Sequence, residues 1–308
     1  MPTVLVTGIA GGLARAVAAL LLARGADVAG VDYRELSGPV PRGVRLHRAQ
    51  YHKTAIDDVL RKETPETVLH LGRVGNLAER MDTRFDLNVL GSQRLFDLCL
   101  QHGVKNLVVL STFHVYGAHP RNHTPIAEVD PLRAGPDFPQ LADAIQLDQL
   151  AQLWAYKNPE VRTVVLRPTN VVGPSLGNTM TQLLRRGRVP RMLGFDPMTQ
   201  FVHTEDLARA VIAAMDGGGR GAFNVAGPTA LPWGLAIELA DARPLVVPSK
   251  LASLWVRTMT GFPAYLIEFL KYPCVITDRA FRQAFGWEPT LSIRDTLASV
   301  RATPGAAP

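Results

Sequence analysis

The segment Thr7-Gly8-Ile9-Ala10-Gly11-Gly12-Leu13-Ala14 has the residue types and spacing to cradle a phosphate group. It joins an apolar run, Thr3–Thr7, to an apolar helical pattern, Leu13–Arg24. Gly8 permits a tight turn, and Gly11 lets backbone approach a pyrophosphate. The helix start at Gly12 and Leu13 offers free N–H groups and a partial positive charge. No Gly-Lys-Ser/Thr follows, which excludes a P-loop. Asp32 ends the second apolar run, Asp27–Asp32. A carboxylate there accepts hydrogen bonds from an adenosine ribose and repels a 2′-phosphate. The expected ligand is therefore NAD(H). NADP(H) is the lesser expectation, kept open because Arg34 follows two residues on.

These residues need a sheet to hold them. Strands are predicted over Thr3–Thr7, Asp27–Asp32, Val44–Arg48, Thr67–Leu71, Asn106–Ser111 and Arg162–Arg167. Helices are predicted over Leu13–Arg24, Thr54–Glu63, about Leu77 to His102, and Gln140–Lys157. Such alternation of near-continuous Val/Leu strands with helices predicts an α/β fold, a Rossmann-type doubly wound parallel sheet. After Pro168 helices dominate: Leu176–Arg186, Glu205–Met215, Pro232–Ala240, Leu251–Thr258, Pro263–Lys271 and Thr277–Phe285. Short strands near Gln200–His203 and Ala222–Ala226 are expected to rejoin the main sheet. The expected division is a dinucleotide-binding domain over 1–174, to which 195–228 returns. A smaller, mostly helical substrate-binding cap takes 175–194 and 229–300, and a frayed tail takes 301–308.

Composition narrows the function classes. The chain has 308 residues, 47% hydrophobic and 19% charged, with a net charge of +6. A sizeable core is possible and wholesale disorder is excluded. The modest charge suits an anionic ligand as well as nucleic acid and selects neither, and no aromatic interleaving of the basic residues supports nucleic acid. Two cysteines, Cys99 and Cys274, make neither a metal-ligand spacing nor a disulfide framework. No run of about 20 uncharged apolar residues predicts a membrane span, and no secretory signal is read at the start. A cytoplasmic protein without a metal is expected.

Five further segments, in order with the glycine loop, resemble the extended short-chain dehydrogenase/reductase family, the NAD-dependent epimerase/dehydratase group. Thr7–Ala14 resembles its TGxxGxxG, with Ala14 at the last position. Val68–Gly72 is similar to its fourth-strand "HLA", Asn88–Ser92 to "NVxGT", and Leu110–Gly117 to "SSATVYG". Arg167–Pro174 is similar to "RPxNVYGP", and Phe201–Asp206 to "FVHVDD". The resemblance implies that Leu71, Gly72, Asn88 and Pro168 join Gly8, Gly11, Gly12, Leu13 and Asp32 around the cofactor. It also implies a homodimer paired through helices, for which Ile145, Leu147, Leu150, Leu153 and Trp154 form an apolar surface.

The family's chemistry uses a Tyr and a Lys at YxxxK on one helix, with a Ser or Thr that orients the substrate oxygen. Thr112 holds the Ser/Thr position. Alignment on Pro139 and Asp148 puts Gln140 at the Tyr position and Ala144 at the Lys position. Gln offers no transferable proton and Ala no charge, so ordinary family activity is expected to be impaired or altered. No Tyr occurs between Tyr116 and Tyr156, so a shift in register does not restore the pair. A second departure follows the third strand, where Gln50 replaces the usual adenine-binding Asp.

His114 lies two residues past Thr112 and is either a substitute acid/base or a structural histidine. Asn170 is either a substrate contact or a turn amide. Arg188 and Arg191, in the densest basic cluster, either dock an anionic substrate or form a solvated edge. Three functions stand: an atypical NAD(H) enzyme on a small hydroxyl- or carbonyl-bearing substrate, a non-catalytic NAD-binding sensor or partner subunit, and a non-redox enzyme using the same pocket.

Overall fold

The apolar runs of the first half become strands because helices cover both of their faces. The computed structural model describes residues 2–36, 38–51, 54–73, 80–248 and 265–302. β1 (Thr3–Thr7), β2 (Asp27–Asp32), β3 (Arg45–Arg48), β4 (Thr67–His70), β5 (Asn106–Leu110) and β6 (Arg162–Pro168) enter one sheet, with β10 (Gly221–Val225) at its edge. The order is β10-β6-β5-β4-β1-β2-β3, and every pairing is parallel. β1 lies between β2 and β4, so Thr7 pairs with both Val31 and His70. The chain order switches there, and the crevice beyond the strand ends at such a point is where α/β sheets bind ligands.

One face of the sheet is covered by α1 (Gly12–Ala23) and α8 (Thr204–Asp216). Val17 and Leu21 of the first share a core with Leu207 and Val211 of the second. The other face takes α2 (Ala55–Glu63), α4 (Gly91–Gln101) and α6 (Ala142–Lys157), through Ile56, Leu60, Leu95, Phe96, Leu147 and Ala151. The expected single helix from Leu77 to His102 differs in the described part. It is α3 (Met81–Phe85), then a wide π turn over Asp86–Leu90, then α4. The extra residue in that turn shifts the helix face, and it is here that Asn88 points inward.

Five strands were not foreseen as they occur. Met198–His203 (β9) does not rejoin the main sheet. It pairs with β7 (Asn170–Val172) and β11 (Ala230–Pro232) in a separate three-stranded sheet. The cluster Arg188–Met192, read from its charge, is a strand, β8, paired in parallel with β12 (Arg243–Val247). The remaining elements of this half include α7 (Thr179–Arg185), α9 (Trp233–Leu239), α10 (Leu266–Phe269), α11 (Arg279–Phe285) and α12 (Ile293–Ala298). The helix expected over Leu251–Thr258 and the start of the one at Pro263 lie outside the described residues.

Of the apolar helical surface expected to pair two copies, Ile145, Leu147 and Trp154 are buried in the chain's own core, and Leu153 is 53% exposed. At the far end, Arg301 Nε donates to the Ala240 carbonyl at 2.8 Å, so the chain is anchored at least that far. Among the described residues no helix is long and apolar enough to cross a membrane.

Candidate active site

The glycine loop closes where β1 meets α1. Gly8 has φ +73°, and a Cβ there would stand 2.5 Å from Gly72 Cα at the end of β4. The close approach of these two backbones therefore needs glycine on both sides. Gly8 N donates to Val31 O at 2.8 Å, and Gly11 N donates to Gly8 O at 2.8 Å. Gly11 caps α1 without a side-chain partner, and the first turn carries no acid. The N–H groups and the positive dipole end of a 12-residue helix thus face the crevice. A Cβ on Gly12 would lie 2.7 Å from Ser175 O, so only a bare backbone fits. This cradle fits the pyrophosphate of a dinucleotide.

Asp32 is 2% exposed and sits under this loop. Its Oδ2 accepts from Ala10 N at 3.0 Å and from Arg34 Nη2 at 3.1 Å. Its Oδ1 accepts from Arg34 N at 3.0 Å and Arg34 Nε at 3.1 Å. A carboxylate has about four acceptor positions. All four are taken, three of them by Arg34, so a ribose reaches this acid only when the exposed Arg34 side chain turns aside.

A buried polar chain runs from the loop toward α6. Tyr51 Oη accepts from Gly8 N at 3.0 Å, and burial pushes its phenol well above the ordinary value. Thr7 Oγ1 accepts from Gly72 N at 3.1 Å and lies 2.8 Å from His70 Nδ1. His70 Nε2 lies 2.8 Å from Ser92 Oγ, whose proton goes to Asn88 O at 2.6 Å. Ser92 having one proton to give, His70 must donate from Nε2 and accept at Nδ1. The ring is neutral, in keeping with a pKa that burial lowers to about 4. Asn88 Nδ2 then donates to Asp143 Oδ2 at 2.5 Å.

Beyond Asn88 lies the start of α6. Gln140 lies in the turn Pro139–Leu141 just before α6 and Ala144 in the first turn of α6, and neither side chain lines the cleft. Ala144 is 2% exposed. Arg84 fills this region: its guanidinium pairs with Asp143 and donates from Nη2 to the Gln140 carbonyl at 2.8 Å. Both partners of the ion pair are buried. Arg73, directly after Gly72, and Tyr265, just before α10, complete the group. Each interacts electrostatically with both Arg84 and Asp143. Burial raises the Tyr265 phenol to about 12, while Arg73 and Arg84 pull in the other direction.

Thr112 Oγ1 lies 2.8 Å from His114 Nδ1. The imidazole is enclosed by Phe113, Phe269 and Tyr265, with ring centroids 4.2, 4.8 and 5.8 Å away. Burial, with Arg73 nearby, lowers its pKa to about 3. His114 is neutral at any physiological pH and holds the Thr112 hydroxyl without carrying a charge.

One cleft of about 930 Å³ unites these parts. It runs from Gly8, Gly11, Gly12 and Leu13, past Leu71, Gly72 and Pro168, to Thr112, His114 and Asn170. Arg73, Arg84 and Tyr265 line it too. Asn170 spends its amide on Gln200 O at 3.0 Å. Asn88 is buried behind the wall and acts through Asp143. Arg188 and Arg191 are not brought to the cleft: Arg188 is exposed and Arg191 pairs with Asp196 at 2.9 Å. Arg185 reaches it, with its guanidinium bonded to carbonyls of Gly173, Pro174, Leu176 and Val300. Among the described residues no group of three or more His, Cys, Asp or Glu could hold a metal.

Arg73, Arg84 and Tyr265 were not anticipated from sequence. Arg73 follows the fourth-strand motif, and Arg84 stands four residues before Asn88; both spacings were legible signals. Nothing local marks Tyr265.

Comparison with known proteins agrees with this architecture. A relative in rice, UDP-glucose 4-epimerase 2, is 31% identical over 252 residues, 69% of this chain and 61% of its own length. An uncharacterised protein of Mycobacterium tuberculosis is 28% identical over 258 residues, 79% of this chain. The chain spans 66% of that relative's length. Among solved structures, UDP-glucose 4-epimerase of Thermotoga maritima with UDP-glucose superposes with a TM-score of 0.79 at 21% identity, covering 97% of both chains. MoeE5 in complex with UDP-glucuronic acid and NAD gives 0.77 at 23% identity, over 96% of this chain and 97% of that one. Residues 4–226 match the model of the NAD dependent epimerase/dehydratase family, and the chain belongs to that family.

Proposed function

We propose that this chain is an NAD(H)-dependent oxidoreductase of the epimerase/dehydratase type, acting on a small hydroxyl- or carbonyl-bearing substrate. The observation that carries this reading is the continuity of one cleft from the uncapped helix at Gly12 to Thr112 and Tyr265. A bound nicotinamide would supply hydride exchange with the substrate carbon. The Thr112 hydroxyl, held by neutral His114, hydrogen-bonds the substrate oxygen. Tyr265 takes the place of the absent helical phenol and passes the proton to or from that oxygen. Arg73 and Arg84 favour its phenolate, the part that the family gives to a lysine on α6. The buried chain from Tyr51 to Asp143 keeps the glycine loop and the reacting end in register. Asp32 favours NAD(H) over NADP(H). A cytoplasmic homodimer binding a small molecule and no nucleic acid completes the reading.

A second reading, a non-catalytic NAD-binding protein, is favoured by the way Arg84 and Asp143 seal the start of α6, where its relatives carry their relay. Two measurements separate them. NADH fluorescence titration should show saturable binding. NAD-linked turnover of a panel of alcohols and hydroxy acids should fall about 10²–10⁴-fold in Tyr265→Phe, with NADH affinity within about twofold of the parent. Binding without turnover of any compound selects the second reading.

A further inference from the structure

Two guanidinium groups and one carboxylate meet at the reacting end of the cleft. Arg84 is 3% exposed and its charge is matched by Asp143, which is 1% exposed. Arg84 Nε is buried with no hydrogen-bond partner. Arg73 is half-buried, and among the described residues its guanidinium has neither a hydrogen bond nor an ion pair. Its electrostatic neighbours are Asp143, Tyr265, Arg84 and His114. Tyr265 and His114 are neutral at physiological pH, so among the described residues the local sum is two positive charges against one negative. A partly desolvated, unmatched cation is costly, and proteins rarely keep one without a counter-charge.

We propose that Arg73, backed by Arg84, binds a carboxylate of the substrate, so that the compound handled at Thr112 is a hydroxy or oxo acid. This rests on the reading of the cleft as a redox site and names its substrate class. Three features suit a carboxylate. The unmatched charge is a single one, which a monoanion balances and a phosphate dianion would overshoot. A guanidinium offers a planar fork matched to two carboxylate oxygens. The position is wrong for the dinucleotide's own phosphates, whose cradle is the backbone at Gly11 and Gly12. Arg73 instead lines the cleft together with His114 and Tyr265. The nearby wall is apolar, with Met180, Leu266 and Phe269 lining a small adjoining cavity. A short acid with its carboxylate on Arg73 would lay its carbon chain there.

The test uses isothermal titration of the full chain, alone and saturated with NADH. The probes are 2-hydroxybutyrate, 3-hydroxybutyrate, the uncharged 1,2- and 1,3-butanediols, and inorganic phosphate. The expected result is saturable binding of at least one hydroxy acid, at least tenfold tighter than its diol and than phosphate. Arg73→Gln should weaken that acid at least tenfold while leaving NADH affinity within twofold, and Arg73→Lys should recover part of it. Equal binding of acid and diol overturns the proposal, as does no binding of either acid or phosphate binding as tightly. Loss of NADH binding in Arg73→Gln also overturns it, by assigning the cation to the cofactor. Failure of NADH to bind the parent chain strikes the redox reading instead, and the titrations without NADH still decide the carboxylate.

Discussion

The Arg34 guanidinium closes on both carboxylate oxygens of Asp32, at 3.1 Å on each. The acid that should receive a ribose is thus already paired, and the arginine that could receive a 2′-phosphate is held by it. Cofactor preference depends on how this pair opens. Arg34→Ala should tighten NADH and weaken NADPH, each by about three- to tenfold, the net scale of one hydrogen bond. Asp32→Asn should weaken NADH by about tenfold and improve NADPH. Parallel fluorescence titrations with the two cofactors check both signs.

The ion pair of Arg84 with Asp143 should behave as a buried pair. Arg84→Met leaves Asp143 charged, with Asn88 as its remaining side-chain hydrogen-bond partner among the described residues, and should cost about 3–5 kcal/mol. Arg84→Met with Asp143→Leu removes both charges and should recover much of that loss. Urea unfolding of the parent, both single variants and the double variant measures the coupling. Additive losses would show that the pair is not the unit described.

Histidine burial gives a pH dependence of known sign. His70 and His114 have folded pKa values of about 4 and about 3, below the ordinary 6.5. The unfolded chain therefore takes up these protons first. The contribution of each neutral ring to stability is complete above pH 6.5 and is lost as pH falls from there toward the folded value. Where each ring is protonated only in the unfolded chain, the slope approaches about 1.4 kcal/mol per pH unit. Unfolding free energies at pH 7.5, 6 and 5 should fall steadily, and His114→Gln should flatten the fall. An unchanged slope would show that the ring is not held neutral by the fold.

Gly72 and Tyr51 bind the glycine loop from below. A Cβ on Gly72 would stand 2.2 Å from Tyr51 Oη and 2.9 Å from Gly8 N. Gly72→Ala should reduce NADH affinity at least tenfold by displacing Gly8. Tyr51→Phe in the same chain removes the colliding oxygen and should restore part of the affinity. Titrations of the two single variants and the double variant compare the losses directly.

The dinucleotide half was legible because its signals are local. A strand, three glycines and an acid stand within 32 residues, and the sheet they predict is the sheet observed. The site's other half was not. Arg73 and Tyr265 lie far apart in the chain and line one cleft only in the folded protein. The absence of a Tyr and a Lys at Gln140 and Ala144 was plain, but the Arg73, Arg84 and Tyr265 side chains that line the cleft come from other elements. Arg188 and Arg191 misled because charge density marks solvent exposure as readily as a ligand site. Their strand, β8, pairs with β12 away from the cleft. Gln200–His203 had the composition of a core strand. It left the main sheet because β7 and β11 offered closer partners once Pro168 ended β6.

The central claim is that main-chain amides at Gly11 and Gly12 hold a pyridine dinucleotide in the crevice beyond β1. The measurement that reaches it most directly is NADH fluorescence titration of the parent chain beside Gly12→Val, with circular dichroism confirming that both are folded. Saturable binding by the parent, lost by at least tenfold in a folded Gly12→Val, is the predicted result. Equal binding by both, or none by the parent, would contradict the account.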